Sequence, residues 1–409
     1  MTVNPAWTNP QLDIDRIIDD RRTRIIVCCG SGGVGKTTTA AAIGLRAAER
    51  GRQVCVLTVD PARRLAQSMG LSSLDNTPRL VEGIDEQAGG SLHAMMLDMK
   101  RTFDEIVEAH SDPARARQIL ANPFYQSLSS SFSGTQEYMA MEKLGQLRRS
   151  DEWDLIVVDT PPSRSALDFL DAPERLGRFL DGRLIRLLTS PVKAGRPFGR
   201  VLNAGFSMMT GAMTKVLGGQ LLRDAQTFIT AFDTMFGGFR ERAEATYKLL
   251  QAPGTSFLVV ATPEPDALRE ASYFVERLAE ERMPLAGLLL NRVHSAGSCR
   301  LSAARSQAAA ETLETISPNG PVAAASSGDY SVSASTVSAA NTVSANTAAA
   351  AALRLHASRM NLGERERRVA GSFMSAHPAV PVVEVPALPE DVHDLAGLRR
   401  VGESFAVQG

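Results

Sequence analysis

The sequence predicts an α/β fold: a mostly parallel, doubly wound sheet with an inserted α-helical subdomain. Three observations predict it. Short β-branched runs alternate with longer helical patterns along the chain. The runs are almost uninterruptedly apolar, as in Ile25-Ile26-Val27-Cys28-Cys29 and Leu155-Ile156-Val157-Val158, which suits strands covered on both faces. The first run enters a glycine-rich turn that leads into a helical run, Thr38–Ala48.

Residues 1–23 are polar and charged, with Pro5 and Pro10, and read as an N-terminal tail without the apolar stretch of a secretory signal. The first part of the core, 24–167, contains strands predicted over Arg24–Cys29, Gln53–Asp60, Leu92–Asp98 and Trp153–Thr160. Residues 168–250 show no strand pattern. Pro191, Pro197 and the pairs Gly218-Gly219 and Gly237-Gly238 divide them into helices, which predicts the inserted subdomain. The core resumes over 251–316, with strands at Ser256–Ala261 and Leu285–Asn291 and a helix at Ala267–Leu278. Residues 317–352 are rich in Ala, Ser, Thr and Val and almost uncharged. They lack the large apolar side chains that offset ordering entropy, so they read as a flexible insertion whose Ala-rich end, Ala348–Ala352, can lead as helix into Leu353–Glu366. Residues 353–409 complete the core with a strand at Pro381–Val385.

The totals agree with this plan. A chain of 409 residues, 44% apolar, can hold one large domain with an insertion or two ordinary ones. A formal net charge of −1 lacks the basicity of a phosphate-backbone binder, so no nucleic-acid partner is expected. Cys28, Cys29, Cys55 and Cys299 form no CxxC pair, the usage of a reduced compartment. No apolar run approaches the roughly 18 residues that a spanning helix needs, and a cytoplasmic location is expected.

The glycine-rich turn carries the chemistry. Gly30-Ser31-Gly32-Gly33-Val34-Gly35-Lys36-Thr37, followed by Thr38, matches the P-loop pattern G-x-x-x-x-G-K-[ST] at every fixed position. Glycines there let backbone N–H groups converge on phosphates without Cβ clashes, and the following helix adds its N-terminal dipole. Lys36 suits the β- and γ-phosphates, and the Thr37 hydroxyl suits Mg2+. The fold expected is therefore that of a P-loop NTPase, with ATP and Mg2+ as its ligands. Asp159 ends the run Leu155–Val158, where a carboxylate holds Mg2+ directly or through water. Asp60 ends Thr58-Val59-Asp60, where a carboxylate can reach the γ-phosphate and orient a water. Either alone could be a solvated loop residue. Beside a P-loop, both fall where open α/β sheets bind ligands, at the carboxyl ends of strands.

The order GSGGVGKTTTAAA, DPARRLA, VVDTPPSRSALDFL resembles the ArsA-type ATPases. That family includes the arsenite-pump ATPase and the ATPase of tail-anchored-protein targeting, and the wider group holds MinD and ParA. The likeness continues through Thr255–Val260, Glu264, Leu285–Asn291 and Val382–Leu388, most of the chain apart from the N-terminal tail and the Ala/Ser-rich insertion. It is nearest to one subunit of the paired, non-identical ArsA-like ATPases of actinobacteria. The resemblance implies that Lys36 and Asp60 are catalytic, Asp60 by positioning the attacking water. It further implies that Asp159 ligates Mg2+ through water, that Asn291 contacts adenine, and that Pro386, Ala387 and Leu388 cover the base. By chemistry alone Asn291 could equally cap a strand end.

Three departures qualify that likeness. The family's loop reads G-K-G-G-x-G-K-[ST], and its first lysine crosses a dimer interface to neutralise phosphate charge; here Ser31 takes that place. The chain then either pairs with a lysine-bearing homologue or binds ATP as a regulatory half with little hydrolysis. The family's Gly-His in the segment after Asp159 is replaced by Arg164-Ser165, and Arg164 is either a phosphate or partner contact or a surface residue. No cysteine lies between Cys55 and Cys299, which disfavours a thiolate metalloid site and leaves Mg2+ as the only expected metal. In the inserted region, Leu202, Phe206, Met209, Met213, Val216 and Leu217 fit one helical face. That face is an amphipathic core face, a groove for an apolar client helix of a membrane protein, or a subunit interface. A MinD/ParA-like positioning role ranks low, because residues 391–409 carry Arg399 and Arg400 but no basic amphipathic pattern.

Overall fold

The computed structural model describes residues 9–59, 64–85, 87–123, 125–126, 135–161, 241–294, 301–316 and 334–406. Helix α1 (Ile14–Asp19) precedes β1 (Ile25–Cys29), and α2 (Lys36–Glu49) follows the glycine-rich turn. Next come β2 (Gln53–Thr58), α3 (Arg64–Ser68), β3 (Arg79–Leu80), β4 (Ser91–Met96), α4 (Met99–His110), α5 (Pro113–Leu120), α6 (Thr135–Ser150) and β5 (Leu155–Asp159). Helix α7 (241–251) leads into β6 (Thr255–Ala261), α8 (Pro265–Glu280), β7 (Leu285–Val293), α9 (Ala303–Ile316), α10 (Ala334–Ala376), β8 (Val382–Pro386) and α11 (Leu395–Glu403). Residues 168–240 of the expected helical subdomain lie outside the described residues, as do Asp60 and Arg164.

The strands form one eight-stranded sheet in the order β3-β4-β2-β5-β1-β6-β7-β8. All pairs are parallel except β3 with β4. Every residue of β1 and β5 is buried, as expected of central strands covered on both faces. Helix α2 packs close through Ala40, Ala41, Ala42 and Ala47, and α8 through Leu268, Ala271, Phe274, Val275 and Leu278 at helical spacing. The predicted strands all occur, within a residue or two at their ends. The two-residue β3, too short to leave a pattern, was not predicted. The carboxyl ends of β1, β2, β5, β6, β7 and β8 line one edge of the sheet, which is what places a site there.

Two expectations are corrected. From residue 9 onward, the N-terminal stretch is part of the core and no tail. Leu12, Ile14 and Ile18 are buried, Leu12 N–H donates to the Val382 carbonyl (2.9 Å), and Val382 N–H donates to the Pro10 carbonyl (2.9 Å). Ile14 and Ile18 share a face at i, i+4, but the charges around them dominate the composition. The Ala/Ser-rich stretch is helical from Ala334, well before its Ala-rich end. Alanine gives up no side-chain entropy and has the highest helix propensity, and small side chains let α10 approach α9 closely, with Ala310, Ala350 and Ala357 buried.

Arg52 fastens the N-terminal segment. Almost wholly buried, it donates to the carbonyls of Ile18 (2.8 Å), Thr23 (2.5 Å) and Asp154 (2.6 Å). Burial pushes its pKa down from the ordinary arginine value, yet it stays cationic. Arg52→Met should lower unfolding stability by about 2–4 kcal/mol, because it strands those carbonyls without donors. Urea unfolding checks this, and a change below about 0.5 kcal/mol would show that water replaces the guanidinium.

Candidate nucleotide-binding site

The loop between β1 and α2 has the backbone that a phosphate cradle needs. Gly30 and Gly35 have φ of +151° and +94°. A Cβ on Gly30 would lie 2.1 Å from the Val260 carbonyl oxygen of β6, and one on Gly35 would lie 2.3 Å from Asn291 Nδ2. Only glycine fits either place. Gly35 caps α2, so the first N–H groups of the helix open toward the loop.

Lys36, the first residue of α2, is buried and its Nζ donates to the Ser31 carbonyl at 2.7 Å. The Thr37 hydroxyl donates to Asp159 Oδ2 at 2.8 Å, and the Thr58 hydroxyl donates to the same oxygen at 2.9 Å. Asp159 is completely buried at the end of β5, and the adjacent register Thr58↔Asp159 sets Thr58 beside it. Thr58 was missed by sequence reasoning. Its signal was its place two residues before Asp60 at the end of β2.

A cavity of about 730 Å³ opens over this loop. Its walls bring together Gly33, Gly35, Lys36, Thr37 and Thr38 with Asn291 from β7, Pro386 at the end of β8 and Leu388 just beyond it. Gly30, Ser31, Gly32 and Val34 complete the loop without lining the cavity. Asn291 Nδ2 donates to the Val34 carbonyl (2.8 Å), and its Oδ1 accepts from Arg292 N–H (3.0 Å). An amide offers two N–H donors and two acceptor lone pairs, so one of each remains for a base edge. Arg292 and His294, also unpredicted, line the same wall. His294 N–H donates to Glu366 Oε2 (2.8 Å), and its Nδ1 lies 2.7 Å from Glu366 Oε1, which ties this end of β7 to α10.

The described thiols contribute nothing here. Burial pushes Cys29 and Cys55 up to about 12, and Cys28 rises well above its ordinary value through burial and the nearby Asp159. They stay protonated at neutral pH, and a soft metal needs thiolate. Among the described residues no helix is long and apolar enough to cross a membrane.

Comparison with known proteins agrees with the geometry. Residues 23–319 match the ArsA ATPase family, described as anion-transporting ATPase. The ATPase GET3 of Ajellomyces dermatitidis is 25% identical over 308 residues, covering 74% of this chain and 83% of that protein. The ATPase ASNA1 homolog of Babesia bovis is 25% identical over 295 residues, 71% and 72% of the two chains. The ATPase GET3 of Malassezia globosa is 29% identical over 198 residues, 48% and 54% of the two. With a P-loop in the geometry described and a family match across most of its length, the chain belongs to the ArsA ATPase family and is a nucleotide-binding, ATP-hydrolysing enzyme.

Proposed function

We propose that the chain binds ATP with Mg2+ in the cavity over Gly30–Thr37 and works as one subunit of a heterodimer whose partner carries the lysine that Ser31 replaces. The observation that carries the site reading is the Thr37–Asp159–Thr58 cluster directly beneath the loop. Its donor set is a hydroxyl and a carboxylate, hard oxygen ligands that suit Mg2+. Thr37 would hold the ion directly and Asp159 through water, with Thr58 fixing the carboxylate. Held there, Mg2+ would supply neutralisation of the phosphate charge.

The chain's own groups do the rest. Lys36 and the loop N–H groups hold the phosphate charge, and Asp60 orients the attacking water. Asn291 reads the adenine edge, with Pro386 and Leu388 against the base. What supports the base assignment is that these three residues and the phosphate loop share one cavity. Hydrolysis then drives a conformational change for transport or for client targeting in the cytoplasm.

Ser31 also favours a second reading, a regulatory subunit that binds ATP tightly and turns it over slowly. Phosphate release by the chain alone, by an ArsA-family subunit with the intact lysine, and by their mixture separates the two. The heterodimer predicts that the mixture exceeds the sum of its parts by roughly tenfold or more, the scale of a missing trans cation. Strict additivity would leave the regulatory reading. Ser31→Lys should raise the turnover of the chain alone if a self-dimer can then complete its sites.

A further inference from the structure

We propose that Arg292 is a nucleotide-contacting residue that brings its guanidinium to the ATP phosphates in cis, from the end of β7. This rests on the reading above that the phosphates lie in the loop Gly30–Thr37. Successive side chains on a strand point to opposite faces. Asn291 and Arg292 are consecutive, yet both reach the same loop. Asn291 Nδ2 donates to the Val34 carbonyl at 2.8 Å, and Arg292 Nη1 donates to the neighbouring Gly33 carbonyl at 3.2 Å. Two backbone features make this possible. Arg292 has φ of +59°, in the left-handed region, and the pairing of β7 with β8 shifts register between Leu290 and Val293. An irregularity of this kind beside a site re-aims a side chain, and a bulky residue persists in the left-handed region only where the surrounding structure over-determines it.

The unused donors of Arg292 point to an anion. A guanidinium has five N–H donors, and one is spent on Gly33. Arg292 is exposed and has no carboxylate partner among the described residues. On the cavity wall it and Lys36 are the permanent cations, while Glu390 and Asp391 bring two carboxylates. The second position of the loop, Ser31, adds no charge. The contact is made with the loop whose N–H groups cradle phosphate, which assigns the guanidinium to the triphosphate and not to the base.

A brace that only stiffens the loop would use the same hydrogen bond, and two variants of the full chain separate the roles. Arg292→Gln keeps an N–H donor for Gly33 and loses the charge; Arg292→Lys keeps the charge and loses the planar fork. Isothermal titration with ATP should show affinity falling roughly tenfold to a hundredfold in the Gln variant, the worth of one charge-assisted hydrogen bond, and by a smaller factor in the Lys variant. The melting temperature without nucleotide should stay within about 2 °C of wild type in both, as for other surface substitutions. Wild-type affinity in the Gln variant overturns the proposal, and so does an equal loss in both. Lys36→Ala is the control for the underlying reading. If it weakens ATP binding while Arg292→Gln does not, only the present inference fails. If neither weakens binding, ATP does not occupy the loop at all.

Discussion

Lys36→Ala is expected to lower ATP turnover by roughly a hundredfold to a thousandfold, the usual loss when one preorganised charge is removed from where negative charge develops. Lys36 opens α2 and its ammonium is held over the loop by the Ser31 carbonyl at 2.7 Å. That bond fixes a cation, in a buried setting, against the loop. The variant should keep its fold, because Lys36 lies outside the hydrophobic core cluster and alanine is the better helix former. Lys36→Arg should not restore the rate, since a planar fork cannot occupy the place of a compact point charge. Phosphate release at saturating ATP, beside thermal unfolding of the same samples, measures both halves of the expectation. Turnover within tenfold of wild type would mean that another group carries the γ-phosphate charge.

Gly30→Ala should act on stability instead, by about 3 kcal/mol or more. The added Cβ would stand 2.1 Å from the carbonyl oxygen of Val260, which belongs to β6, the direct neighbour of β1. Backbone in a central strand pair cannot step aside without parting the sheet, and φ of +151° adds strain that an alanine cannot relieve. Urea denaturation should show a lower midpoint at unchanged slope. An unaltered midpoint would require β1 and β6 to be looser than their near-complete burial indicates.

Much of this was legible in the sequence for identifiable reasons. Central parallel strands are apolar on both faces, so β1, β2, β5 and β6 stand out as runs, and a P-loop has glycines at fixed offsets that sterics dictate. Asn291, Pro386 and Leu388 came through family likeness, and the structure sets them on one cavity wall although they lie more than 250 residues from the loop. What escaped was set by tertiary contact. The N-terminal segment is anchored by Leu12, Ile14 and Ile18 among charges, and its main fastener, Arg52, looks like a surface residue until its carbonyl partners are seen. Thr58 matters because β2 and β5 are neighbours, a fact of topology. Arg292 matters because of one backbone angle and one register shift, neither of which leaves a mark in residue type.

Helix α10 has 43 residues, about 65 Å at 1.5 Å per residue. Glu366, close to its carboxyl end, grips His294 on the cavity wall. From Glu366 back to Ala334 the helix extends about 48 Å, so a tilt of roughly 5° at the grip displaces the far tip by about 4 Å. By length alone, an angular change too slight to break a hydrogen bond at that grip would become, at the distal end, a displacement the size of a side chain.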